Sequence, residues 1–156
     1  MKHSGRSGFS LLETIIVMFL MAVIAAMGAP KLSSALRQRT VSAAADQFVL
    51  GHSMARSTAL RYGRVAQLHI DASTLRFWVD VDTSANHVGQ RATISSVRNL
   101  ATSGMTMSSN RAVVCFDARG MATTGGACEA GDVAITFTDA DKTSTVTATT
   151  LGKVLR

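Results

Sequence analysis

Glu13 is the residue whose chemistry most needs a partner, because no other ionisable side chain lies between it and Lys31. An ionised carboxylate in apolar surroundings costs several kcal/mol unless it meets an opposite charge. Four residues earlier lies Phe9, directly after the small pair Ser7-Gly8. A cut between Gly8 and Phe9 would expose a positive amine one helical turn from Glu13, or within reach of Glu13 on a neighbouring chain. The implied chemistry is ion pairing after proteolysis, and no enzymatic activity is expected. His52, His69 and His87 fall in an expected helix, strand and loop, without a Ser/His/Asp or Cys/His arrangement around them. The segment Asp80 to Asn86 offers oxygen ligands but lacks the Gly and the terminal Glu of an EF-hand loop, and reads as a polar turn. No phosphate-cradling Gly motif is present, and neither a cofactor nor a metal is expected.

The elements that must position Glu13 follow from the run around it. Residues 1–8 (MKHSGRSG) are short, polar and basic, and an apolar run extends from Phe9 to Ala29. About 20 apolar residues, at about 1.5 Å each, cross the hydrocarbon core of a bilayer. A secretory signal carries its small-residue cleavage site after the apolar stretch. Here the site precedes it, so cleavage leaves the apolar helix on the mature chain. Beyond Pro30, Leu32, Leu36, Ala44, Phe48, Ala55 and Ala59 recur at helical spacing, with Arg37, Arg39, Asp46, Arg56 and Arg61 between them. Gly63 is a C-terminal stop. The expectation is one helix from Ser10 to Tyr62, about 80 Å long, which Pro30 bends or locally melts.

From Arg64 the period changes to two. Ala66, Leu68 and Ile70 alternate, then Leu75, Phe77, Val79 and Val81, with Asp71-Ala72-Ser73 as a hairpin connection. Further strands are expected at 112–116, 133–138, 145–149 and 153–155. A long surface loop rich in Ser, Thr, Asn and Gly is expected within 82–111. The fold class is therefore α+β, a long N-terminal helix packed on a C-terminal antiparallel β-sheet head. The divisions are a cleaved leader (1–8), a helix (9–62) whose segment 9–30 spans the membrane or the filament core, and a head (63–156). With 156 residues, 47% hydrophobic and 17% charged, the chain has room for one globular core and is not a disordered linker. The formal charge is +6. Without Lys2 and Arg6 the balance is about +4, modestly attractive to anionic lipid or nucleic acid.

The stretch Gly8-Phe9-Ser10-Leu11-Leu12-Glu13-Thr14 resembles the G-F-T-L-x-E motif of type IV prepilins and type II secretion pseudopilins. The resemblance implies cleavage after Gly8 by a prepilin peptidase and N-methylation of Phe9. It also implies a role for Glu13 in recruiting and registering subunits, and Pro30 matches the family's helix-kinking proline. Lys31, Arg37 and Arg39 follow the span, so the positive-inside count does not set orientation. The resemblance does, with the leader cytoplasmic and the remainder outside the inner membrane. The implied partners are other pilins or pseudopilins, the peptidase, an inner-membrane assembly platform and membrane lipid. Phe48 to Ile70, with Ala55-Arg56 closing the helix, and the end Leu151 to Arg156 are similar to GspH/FimT-type minor pilins. That implies a minor subunit near the tip of a type IV pilus, or the equivalent minor pseudopilin of a type II secretion system.

An extracytoplasmic head makes a disulfide the leading reading for Cys115 and Cys128, with free buried thiols as the alternative. FimT-like minor pilins are associated with DNA uptake through a C-terminal Gly-Arg-x-Arg motif. Here Gly152-Lys153-Val154-Leu155-Arg156 stands in its place, with Lys for the first Arg and the last Arg displaced by one residue. Lys153, Arg156, Arg119 and Arg111 are the candidate DNA-binding residues, since phosphate contact needs cations without base-specific geometry. Scattered solvated charges are the competing reading. Stacking on bases has little support, because Trp78 is the only tryptophan and sits in an expected strand.

Overall fold

A computed structural model describes residues 10–83, 91–95, 98–100, 104–129 and 131–155. The chain divides into two compact units at Leu36 and Arg37. One helix, α1, runs Leu11–Tyr62 and contributes to both. Ser10 caps its start: the Leu12 N–H donates to Ser10 Oγ at 3.2 Å, and the Thr14 N–H to the Ser10 carbonyl at 3.1 Å. Its end is a Schellman turn. Gly63 takes a positive φ of 61°, and the Arg64 N–H returns to the Ala59 carbonyl at 3.2 Å.

In the first unit the apolar side chains are exposed among the described residues. Leu11, Phe19, Ile24 and Met27 are all exposed. So are Leu32 and Leu36, which the spacing had assigned to the same buried stripe as Phe48. Helical assignment continues on both sides of Pro30, so no local melting is seen there, and the Ser33 hydroxyl donates to the Pro30 carbonyl at 2.9 Å.

The second unit is the head. Val41, Ala44, Ala45, Phe48, Gly51, His52, Ala55 and Ala59 form the buried stripe of α1. Two antiparallel sheets complete the core. In the first sheet β1 (Ala66–Asp71), β2 (Arg76–Asp82), β3 (Arg91–Thr93), β4 (Arg98–Asn99), β6 (Val113–Phe116) and β7 (Ala122–Thr123) are ordered β3-β2-β1-β6-β7, with β4 also on β2. In the second, β5 (Met105–Ser109), β8 (Val133–Asp139), β9 (Lys142–Ala148) and β10 (Val154–Leu155) are ordered β10-β9-β8-β5. Register places Leu68 opposite Val79 and Ile70 opposite Phe77, so the alternating apolar positions share the inward face. Val133, Ile135, Phe137 and Val146 of the second sheet join the same core cluster.

The helix comes closest to the first sheet at Gly51. A Cβ there would lie 2.9 Å from Phe77 Cε2, and the Phe77 ring is buried. Phe48 meets Phe77 edge-on at 6.2 Å between centroids.

Two expectations need correcting. The stretch 82–111, expected to include a long loop, also carries the strands β3, β4 and β5, which were not expected. β3 and β4 are only three and two residues long and are placed by pairing with β2, whereas in β5 the buried Met105 and Met107 alternate with the exposed Thr106 and Ser108, a period the sequence did offer. The β1–β2 connection is also longer than Asp71-Ala72-Ser73. It is a turn over residues 72–75, in which Leu75 holds a positive φ of 52° instead of starting the strand. Asp71 organises this turn by accepting from both Ser73 and Thr74 hydroxyls at 2.6 Å. Those bonds, the Ser73 one first, hold its carboxyl down to about 2.

Candidate functional site

At the N-terminal end, Glu13 occupies the third position of α1, three residues after the capping Ser10. The Ser-x-x-Glu spacing is that of a capping box, and a carboxylate in the first turn is favoured by the helix dipole. Glu13 is exposed. Gly8 and Phe9 lie outside the described residues. Leu11–Tyr62 is the one described helix long and apolar enough to cross a membrane.

In the head, Cys115 and Cys128 form a disulfide with their Cα atoms 5.5 Å apart. Cys115 is in the central strand β6 and buried. Cys128 lies in the turn after β7, bridged to Gly125, so the bond fastens that turn over the sheet beside Gln67, whose Nε2 is 3.6 Å from Cys128 Sγ. For a sequence separation of 13, the chain-entropy model gives about 3 kcal/mol. Replacing both cysteines by Ser is expected to lower the unfolding free energy by about that amount. Urea titration of the oxidised wild type against the double variant measures it, and equal midpoints would refute it.

The outward face of the first sheet carries an ion-pair cluster. Asp80 Oδ2 is 2.8 Å from His69 Nε2, and Arg91 Nη1 donates to Asp80 Oδ1 at 2.9 Å. The His69 ring stacks on Trp78, with centroids 5.0 Å apart and 6° between planes. Both Asp80 oxygens are thus engaged, and Asp80 acts as a cross-strand tie. His87 lies outside the described residues. His52 is buried against Phe116, ring centroids 4.9 Å apart. Burial first, and the Arg56 charge second, lower its pKa to about 4.

The candidate DNA-binding cations do not form one set. Arg111 precedes β6 and Arg119 follows it, so they flank opposite ends of that strand. Arg111 Nη1 is 3.4 Å from Glu129 Oε2. Its Nε is buried with no hydrogen-bond partner among the described residues. Arg119 is exposed, with Nε 3.7 Å from Asp117 Oδ2. Lys153 is also exposed, on the turn leading into β10. Arg156 lies outside the described residues.

Sequence reading missed the residue that gathers two of these turns. A Cβ at Gly120 would fall 3.1 Å from Arg56 Nε, and one at Gly152 would fall 2.8 Å from Arg56 Nη1. Gly152 also needs its positive φ of 79°, which side chains other than glycine rarely adopt. The turn after β6 and the turn before β10 therefore both close on Arg56. A hydrogen bond from the Ala122 N–H to the Thr150 carbonyl at 3.1 Å joins them across the two sheets. The only signal in the sequence was a set of glycines near basic residues, which does not say which of them meet.

An N-terminal apolar helix whose later half packs on antiparallel sheets is the architecture of pilin-like filament subunits. Residues 3–29 match the prokaryotic N-terminal methylation motif. Residues 44–152, well over half of the chain, match the model of the type II transport protein GspH, and the chain belongs to that family. The fold is similar to that of the type IV minor pilin FimU of Pseudomonas aeruginosa, at a TM-score of 0.55 and 12% identity over 74% of this chain and 86% of that one. It is also similar to the minor pseudopilin EpsH of the Vibrio cholerae type 2 secretion system, at 0.53 and 15% over 74% and 94%. A search of curated protein sequences returns no match.

Proposed function

We propose that this chain is a minor pilin of a type IV pilus, held in the inner membrane by its apolar helix before assembly and placed near the filament tip with its head outside. The observation that carries the reading is the methylation motif leading into an apolar helix whose side chains are exposed among the described residues. Such a helix needs hydrocarbon or the helices of other subunits around it. In this reading a prepilin peptidase cuts after Gly8 and Phe9 is methylated. Glu13 then pairs with the Phe9 amine of its own or a neighbouring chain, and an assembly platform moves the subunit from lipid into the filament. Mass analysis of the mature N-terminus tests it: the chain should begin with methylated Phe9, and assembled filaments retaining Met1 to Gly8 would overturn it.

The second reading is a minor pseudopilin of a type II secretion system, which the likeness to EpsH favours equally at the level of fold. The basic balance of the chain tilts the proposal to the pilus. Recovery of the protein in sheared surface filaments supports the pilus. Its loss abolishing protein secretion, with surface filaments intact, supports the secretion system. DNA binding is left out of the proposed function, because Arg111 is engaged by Glu129 and stands apart from Arg119. A salt-sensitive shift of duplex DNA that Lys153→Ala and Arg156→Ala together abolish would restore it.

A further inference from the structure

The two turns that close on Arg56 also display apolar side chains outward. Leu151 is 74% exposed, and Met121 and Leu60 are also exposed. Leu60 belongs to the same surface, since its Cγ lies 3.3 Å from the Cβ position of Gly120, the residue before Met121. Exposed leucines on mobile tips need no explanation, but Leu151 sits on a heavily tied turn. The Thr149 N–H donates to the Lys153 carbonyl and the Gly152 N–H to the Thr149 carbonyl, both at 2.8 Å. The Thr150 N–H donates to Asp132 Oδ1 at 2.9 Å. The Met121 turn is equally fixed, with the Arg119 and Met121 N–H groups both donating to Asp117 Oδ1 at 2.9 Å. Those bonds, the Met121 one foremost, hold the Asp117 carboxyl below the usual carboxylate range. Arg119 and Lys153 stand on the same two turns, Arg119 82% exposed with only its Nε edge turned to Asp117 at 3.7 Å.

We propose that Leu60, Met121 and Leu151, rimmed by Arg119 and Lys153, form a docking surface for an acidic, apolar-bearing segment on the head of another pilin-family subunit. The inference rests on the reading of this chain as an assembled filament subunit and adds where a neighbour's head is received. Apolar anchors held rigid before contact lose little entropy on docking and make strong central contacts. The cationic rim selects an acidic partner and disfavours a basic one. Phosphate contact would use the two cations but gain nothing from three apolar side chains, so a protein surface fits better than nucleic acid. A fluid bilayer surface has no use for side chains fixed in one arrangement.

The test uses the full-length chain, co-expressed with each pilin-family subunit encoded beside it and recovered from detergent-solubilised membranes. Leu151→Asp, and Arg119→Glu with Lys153→Glu, should each lower recovery of one such subunit at least tenfold. Leu50→Asp, an exposed leucine outside this surface, should leave recovery unchanged. Thermal unfolding followed by Trp78 fluorescence should show each variant folded. A photo-crosslinker at position 151 should join an Asp- or Glu-containing peptide of the same subunit's head. Unchanged recovery in the folded variants overturns the docking surface alone. So does retention of duplex DNA, or of phosphatidylglycerol vesicles, that depends on these residues while subunit recovery does not. Failure of the wild type to recover any pilin-family subunit overturns both this surface and the filament-subunit reading.

Discussion

Phe48→Ala is expected to remove about 3–5 kcal/mol from the stability of the head, the usual cost of emptying a fully buried phenylalanine site. Phe48 has no solvent exposure. It lies edge-on to Phe77 and one turn before Gly51, where a Cβ would already touch the Phe77 ring. Because the helix is in close contact at Gly51, it cannot settle further onto the sheet to fill the space that the ring leaves. The cost should therefore fall toward the upper part of that range. Domains are stable by only about 5–15 kcal/mol, so the loss is a large share of the total. Denaturant unfolding followed by Trp78 fluorescence measures it, with the exposed Leu50→Ala expected within about 0.5 kcal/mol of wild type. A loss below about 1 kcal/mol at Phe48 would mean that the helix does not pack on the sheet as described.

Acidification should destabilise the head through His52 in a defined window. Its folded pKa is lowered from 6.5 to about 4, so between those values the unfolded chain binds a proton that the folded chain refuses. Stability is therefore full above about pH 6.5, falls as the pH drops toward about 4, and loses nothing more from this residue below that. At about 1.4 kcal/mol per unit the window is worth roughly 3 kcal/mol. The ring is only 2% exposed, so solvent screens little of this effect. Phe48 and Phe116 surround the ring, and Arg56 is the charge that adds to the burial. His52→Leu should abolish the part of the pH dependence that lies between pH 4 and 6.5, whatever it does to stability at pH 7. Parallel stability curves for wild type and His52→Leu across that range would contradict the assignment.

Much of the framework was legible because it is written in local periods. The uncharged run after Glu13, the helical recurrence through Phe48 and Ala59, and Gly63 as a stop predict α1 to within a residue. Alternation likewise predicts β1, β6 and β8 closely. Leu32 and Leu36 show the limit of the method, since they keep the periodic spacing and yet are exposed. Periodicity reports which face is apolar, not what lies against it. β3 and β4 escaped because two or three residues cannot show a period and their places are fixed by pairing with β2, while the alternation of β5, Met105 and Met107 against Thr106 and Ser108, was present but passed over. The cysteine pair was readable from compartment once the N-terminal motif was recognised, and the disulfide is formed. The grouping of cations was not readable, because Arg111 and Arg119 are close in sequence while β6 carries them to opposite ends.

Arg56 gives the head an unusual mechanical connection. One side chain on the helix is pressed under Gly120 in one sheet's turn and under Gly152 in the other's. The absence of a Cβ at each glycine is what lets the Arg56 side chain lie so close to both turns. Arg56 thereby adds, beside the shared apolar core, a direct polar link from the helix to the turn before the last strand, where the covalent path is nearly a hundred residues long. A side chain larger than hydrogen at either glycine would therefore be felt at the other turn as well, through the displaced Arg56.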